Sequence, residues 1–114
     1  MTDEKMIELI QPICKCVIEK PRSKSQLLGM SEKKGEPALE YQLPSTTKKV
    51  TIVELLVAYE ELKRNSFINH SWYKKRFSNI DGNSPCNFTT IGAVFVKLGF
   101  AEYHEYKYRR KKAN

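Results

Sequence analysis

Nowhere does this 114-residue chain hold the roughly 20 consecutive apolar residues that a membrane-crossing helix requires. Cysteine is scarce. Cys14, Cys16 and Cys86 make an odd number, which excludes a fully paired disulfide framework and fits a reducing compartment. The two histidines, His70 and His104, are too few and too far apart for a Cys/His zinc motif. No glycine-rich phosphate loop is present. Acidic residues also thin out along the chain. Residues 1–50 hold nine Lys/Arg against seven Asp/Glu, and residues 70–114 hold nine against three. The net charge of +7 therefore sits mainly in the C-terminal segment, where it attracts polyanions, nucleic acid foremost.

No nucleophile, base and acid stand in a triad-like pattern. Glu54, Glu60 and Glu61 read as the solvated face of a helix rather than paired catalytic carboxylates. These absences lead to the expectation of a protein that is not an enzyme and needs no cofactor or metal. The opening Met1-Thr2-Asp3-Glu4-Lys5 is acidic and has no secretory-leader pattern, so a cytoplasmic location is expected, at the nucleoid if the chain binds DNA.

Met6, Leu9, Ile10, Ile13 and Val17 recur at helical spacing behind a Thr2 cap, but Pro12 interrupts the run. The pattern predicts a helix from Asp3 to Ile10, then either a kinked continuation or a short strand over Ile13–Ile18. Cys14 and Cys16 would diverge in either case, so they do not suggest a metal site. Pro21 to Pro37 is polar, contains Gly29 and Gly35, and reads as a loop or linker. Ala38 to Leu43 alternates as a half-buried strand and is ended by Pro44. A polar break over Ser45–Lys49 sets an expected boundary between an N-terminal extension, residues 1–45, and a domain over 46–114.

Beyond that break the signals sharpen. Thr51 and Glu54 are spaced as a capping box, and Ile52, Leu55, Leu56, Tyr59 and Leu62 form one apolar stripe that ends at Lys63 and Arg64. Phe67-Ile68 reads as a short strand, and Asn69 or His70 as the cap of a helix through Phe77. Trp72 shares a stripe with Phe77 and is expected in the core. A turn over Ser78–Asn87 follows, through Asp81-Gly82-Asn83. Next comes a helix capped by Asn87 or Thr89, with Ile91, Val94, Phe95 and Leu98 on one face. Gly99 suits a left-handed helix stop. Two short strands, Phe100–Tyr103 and Tyr106–Arg109, close the pattern. Tyr106 and Tyr108 would share one strand face, where they either pack on the helices or line a single-strand surface.

The segment Phe88-Thr89-Thr90-Ile91-Gly92-Ala93-Val94-Phe95-Val96-Lys97-Leu98-Gly99-Phe100 resembles the third helix of winged-helix domains. In particular it is similar to the C-terminal winged helices of phage and plasmid replication helicase-primases, and more distantly to the RFX type. The resemblance covers about residues 50–112. It implies an α+β fold, mostly helical: a winged helix-turn-helix with an N-terminal helix and strand extension. It also implies double-stranded DNA as partner, with the third helix in the major groove presenting Asn87, Thr89, Thr90 and Ala93 and carrying Lys97. Lys74, Lys75 and Arg76 would hold phosphates from the preceding helix. Lys107, Arg109, Arg110 and Lys111, with Lys112, would engage the backbone or minor groove from the wing and tail.

The third helix departs from that pattern. Between Thr89 and Leu98 it has no Arg, Asn or Gln. Two alternatives follow: DNA binding dominated by phosphates and the wing, as a small transcription regulator or a replication or mobile-element accessory, or a protein–protein adaptor docking through the apolar third helix. The amphipathic N-terminal helix could fold back on the domain or pair with its copy in a homodimer.

Overall fold

A computed structural model describes residues 1–78 and 85–111. The Thr2 hydroxyl accepts a hydrogen bond from the Lys5 amide at 3.1 Å and starts helix α1 (Asp3–Ile10). Met6 and Ile10 on its inner face are fully buried. Pro12 has its predicted effect: α1 ends and a single 3₁₀ turn, Gln11–Ile13, carries the proline. Of the two continuations, the strand is realised, though later and shorter, as β1 (Val17–Glu19).

The polar stretch expected as a linker is instead strand β2 (Lys24–Lys33), paired antiparallel with β3 (Glu36–Gln42). The tight turn between them has Lys34 and Gly35 at φ +51° and +84°. Ser25 and Leu27 point inward while Lys24 and Gln26 face water, and the register shifts between Leu27 and Gly29. With so few apolar residues on the inner face and a break in alternation, the period of two is hidden in the sequence. The second expected break is also partly strand: β4 (Thr47–Thr51) pairs with β3 from Gln42↔Thr47 to Ala38↔Thr51. The boundary expected at residues 45 and 46 thus falls inside a hairpin. The first sheet has the order β1-β2-β3-β4.

Helix α2 (Ile52–Asn65) opens with the complete capping box: Thr51 Oγ1 accepts from the Glu54 amide at 3.1 Å, and Glu54 Oε2 accepts from the Thr51 amide at 2.9 Å. It leads into β5 (Phe67–Asn69) and α3 (His70–Arg76), whose cap is Asn69 Oδ1 accepting from the Trp72 amide at 2.9 Å. Helix α4 (Pro85–Lys97) ends before Gly99, which takes φ +82° as predicted. Strands β6 (Ala101–His104) and β7 (Lys107–Arg110) complete a second sheet of order β5-β7-β6.

The description as mostly helical is corrected. Among the described residues the fold is α+β with 42% helix and 35% strand, in two antiparallel sheets. The strand content rises because the N-terminal part is a four-stranded sheet rather than one strand with a linker. One apolar cluster runs through both halves and joins Met6, Ile10, Leu39 and Tyr41 to Leu55, Ile91, Val94, Phe95 and Tyr108. At about 1.5–3 kcal/mol for each fully buried large apolar side chain, it is the main cohesive term. Helix α4 lies at its centre, against β1 and β4 on one side and β6 on the other.

Candidate functional site

That central position decides what α4 can present. Asn87 is 3% exposed, Thr90 0% and Ala93 3%. Asn87 Oδ1 accepts a hydrogen bond from the Tyr41 phenol at 2.5 Å, and Asn87 Nδ2 donates to the Lys49 carbonyl at 3.3 Å. Neither Asn87 nor Thr89 caps the helix, which begins at Pro85. Thr89 is half-buried and its hydroxyl donates to the Cys86 carbonyl at 3.2 Å. The expectation that Asn87, Thr90 and Ala93 face DNA bases is therefore corrected. The first sheet covers that face, and its small and hydroxylated side chains serve close packing. The same cover removes α4 as an apolar docking surface for a protein. Of the α4 residues expected at DNA, Lys97, at its C-terminal end, is exposed, beside the exposed Val96. Gly92 is held so tightly that a Cβ there would lie 2.2 Å from Cε2 of the Tyr108 ring.

Two carboxylates assigned to a solvated face are buried instead: Glu54 is 1% exposed and Glu61 9%. Glu54 belongs to the capping box and also accepts from the Tyr73 phenol through Oε1 at 2.6 Å, which ties α3 to α2. Glu61 accepts from Arg64 Nη2 at 2.6 Å and from the side-chain amide Nδ2 of Asn65. Burial opposes the Glu61 charge, but these two donors outweigh it and hold its carboxyl below the usual range. Burial pushes the phenols of Tyr41, Tyr73 and Tyr108 well above the ordinary tyrosine value, with the Glu54 carboxylate adding to the effect at Tyr73. The sequence showed Glu54 in the capping box with Thr51, but not its burial against the Tyr73 phenol.

The expected phosphate ligands fare differently from the α4 residues. Lys74, Lys75 and Arg76 are all exposed at the C-terminal end of α3, with the Arg76 guanidinium 5.3 Å from the centre of the Phe77 ring. On the outer face of the second sheet, Phe67 stands opposite Arg109 and Asn69 opposite Lys107. The Lys107 ammonium lies 5.0 Å above the exposed Phe67 ring, and Arg109 pairs with Glu102 at 3.0 Å. Arg110 Nη1 donates to the Lys63 carbonyl at 3.3 Å, at the end of α2, while Lys111 is exposed. The hairpin thus groups Lys107 and Arg109 on one face beside Phe67, whose role in that face its place in a short strand does not reveal. Lys112 and the turn Asp81-Gly82-Asn83 lie outside the described residues.

The tyrosines also separate. Tyr108 is buried, and its ring lies tilted at 60° against that of Tyr103, its cross-strand partner, with 5.1 Å between centres. Tyr106 does not share its face; it sits in the hairpin turn, 85% exposed. Trp72, expected in the core, is half-exposed at a groove of about 420 Å³ between α2 and α3, with Leu56, Val57, Glu60 and Arg76. Lys15, at φ +75°, breaks the regular geometry expected between Cys14 and Cys16; these thiols and Cys86 are free and half-buried. Among the described residues no group of three or more His, Cys, Asp and Glu gathers to hold a metal, and no helix is long and apolar enough to cross a membrane. Comparison with known protein families, with curated protein sequences and with solved structures returns no match for this chain.

Proposed function

We propose that this chain binds nucleic acid, double-stranded DNA in the first instance, through phosphate contacts made by α3 and the β6–β7 hairpin, with α4 as an internal scaffold rather than a reading helix. The observation that carries the reading is the exposure of Lys74, Lys75 and Arg76 on a segment with no carboxylate of its own, together with the cationic hairpin face of Lys107 and Arg109. Cations on rigid elements position a polyanion without reading its sequence. The order α2, β5, α3, α4, β6, β7 also follows the winged-helix resemblance, and β5 completes the sheet of its wing. With the base-facing residues of α4 buried, affinity rests on counterion release and sequence selectivity is low.

A titration of a labelled random duplex at several salt concentrations tests this. Binding whose logarithm falls linearly with log salt, and a shallower slope in the Lys74→Ala/Lys75→Ala/Arg76→Ala variant, supports it. Failure to bind at low salt sinks it. The groove beside Trp72 favours a second reading, a protein-binding module, whose occupant would lie across α2 and α3 rather than α4.

A further inference from the structure

Strands β6 and β7 are joined by only two residues, Glu105 and Tyr106, at φ +49° and +66°. Positive φ at both positions is the type I′ geometry that hairpins of this length favour, and it selects Asn-Gly, Asp-Gly or Gly-Gly because a Cβ is crowded there. Here a glutamate and a tyrosine occupy the strained positions. Strain at a turn persists only where something outweighs it. Packing does not: Tyr106 is 85% exposed, the most exposed large apolar side chain among the described residues. The fold would close the same hairpin with less strain using small residues, so the tyrosine ring is held out for contact with something beyond the chain.

The surroundings narrow what that is. Lys107 follows Tyr106, and Arg109, paired with Glu102, lies farther along the same face of the strand, while the part-exposed Tyr103 lies on the opposite face beside Tyr108. A phosphate at the tip itself would meet the Glu105 carboxylate, whose near partner is His104 at 3.5 Å. The charges therefore suit a backbone passing along the strands while the tip meets something without negative charge. An unpaired base has that character: an uncharged π-face attached to a phosphate chain.

We infer that Tyr106 is a stacking platform for an unpaired base, so that the hairpin engages DNA bearing a single-stranded tail in preference to fully paired duplex. The inference rests on the nucleic-acid reading above and adds to it the kind of nucleic acid bound.

The test uses the full chain, a blunt duplex and the same duplex with a short single-stranded extension carrying 2-aminopurine at the junction. The wild type is expected to bind the tailed form about tenfold more tightly and to quench the 2-aminopurine. Tyr106→Ala abolishes that preference and the quenching while leaving blunt-duplex affinity unchanged. Tyr106→Trp keeps both. Glu105→Asn/Tyr106→Gly loses the preference yet raises the unfolding temperature by about 4 °C, which separates function from folding. Salt-dependent binding to the blunt duplex with no preference for the tail, or a preference that survives in Tyr106→Ala, overturns the inference alone. Absence of any DNA binding overturns it together with the reading on which it rests.

Discussion

Gly92→Ala is a substitution that sequence rules favour and this packing forbids. In an exposed helix interior, replacing glycine by alanine stabilises by about 1 kcal/mol, through backbone entropy. At Gly92 the added methyl would lie 2.2, 2.3 and 2.4 Å from three atoms of the Tyr108 ring. Ordinary carbon–carbon contact is about 3.5–4.0 Å, so ring and helix must part by more than an ångström. The ring has little room to yield: it is 2% exposed, with Phe88 at 5.6 Å and Tyr103 at 5.1 Å between ring centres. Overpacking of this kind costs about 1–3 kcal/mol in a core that can adjust, and more where a rigid aromatic must move. The clash should outweigh the propensity gain and leave a net destabilisation of roughly 1–2 kcal/mol. Urea unfolding measures it as a lowered midpoint at constant slope. Gly92→Ala should cost less in a Tyr108→Val background than in the wild type, so the pair is non-additive in the favourable direction. A Gly92→Ala protein as stable as the wild type would refute the packing of β7 on α4.

Two further outcomes follow from the buried polar groups. Tyr73→Phe removes one of the donors to the buried Glu54 carboxylate and should cost about 1–3 kcal/mol in the same assay, whereas a loss below about 0.5 kcal/mol would show that the phenol is not bonded to it. Tyr41, Tyr73 and Tyr108 all have folded-state phenols raised above the ordinary value of about 10, so the unfolded chain loses these protons first. Their contribution is intact below that pH and falls as the pH rises through it, by about 1.4 kcal/mol per pH unit for each group. Stability measured from neutral to strongly alkaline pH should drop steeply above about pH 10, with tyrosinate absorbance rising together with unfolding. Ionisation of all six tyrosines with unperturbed stability would contradict the burial of these three rings.

How far the sequence disclosed this arrangement depends on the range of the interactions. Local chemistry was legible: the Thr2 and Asn69 caps, the Thr51–Glu54 box, the helix stop at Gly99 and the interruption at Pro12 each involve residues within about one turn of one another. The elements from α2 to β7 followed from periodicity for the same reason. Strand β2 was hidden because its outer face is polar and its partner, β3, supplies most of the hydrophobic pairing. The misreading of α4 had a different cause. A face of Asn, Thr and Ala suits close approach to DNA and close approach to a sheet equally well. What decides between them is a contact such as Tyr41 with Asn87, 46 residues apart, which no local pattern encodes. Glu54 was ambiguous likewise, since its spacing shows a cap but not the Tyr73 phenol arriving from another helix. Of the candidate site, the basic residues were legible as charge, and the strained position of Tyr106 was not.

In the proposed complex nucleic acid meets α3 and the hairpin while α4 stays inside. Backbone amide shifts recorded by NMR during titration with a short random duplex test it most directly. Perturbations are expected to cluster at Ser71–Arg76 and Tyr103–Lys111 and to fade as salt is added, with Phe88 to Val94 unmoved. Perturbations centred on Asn87 to Ala93, with α3 and the hairpin unaffected, would contradict it.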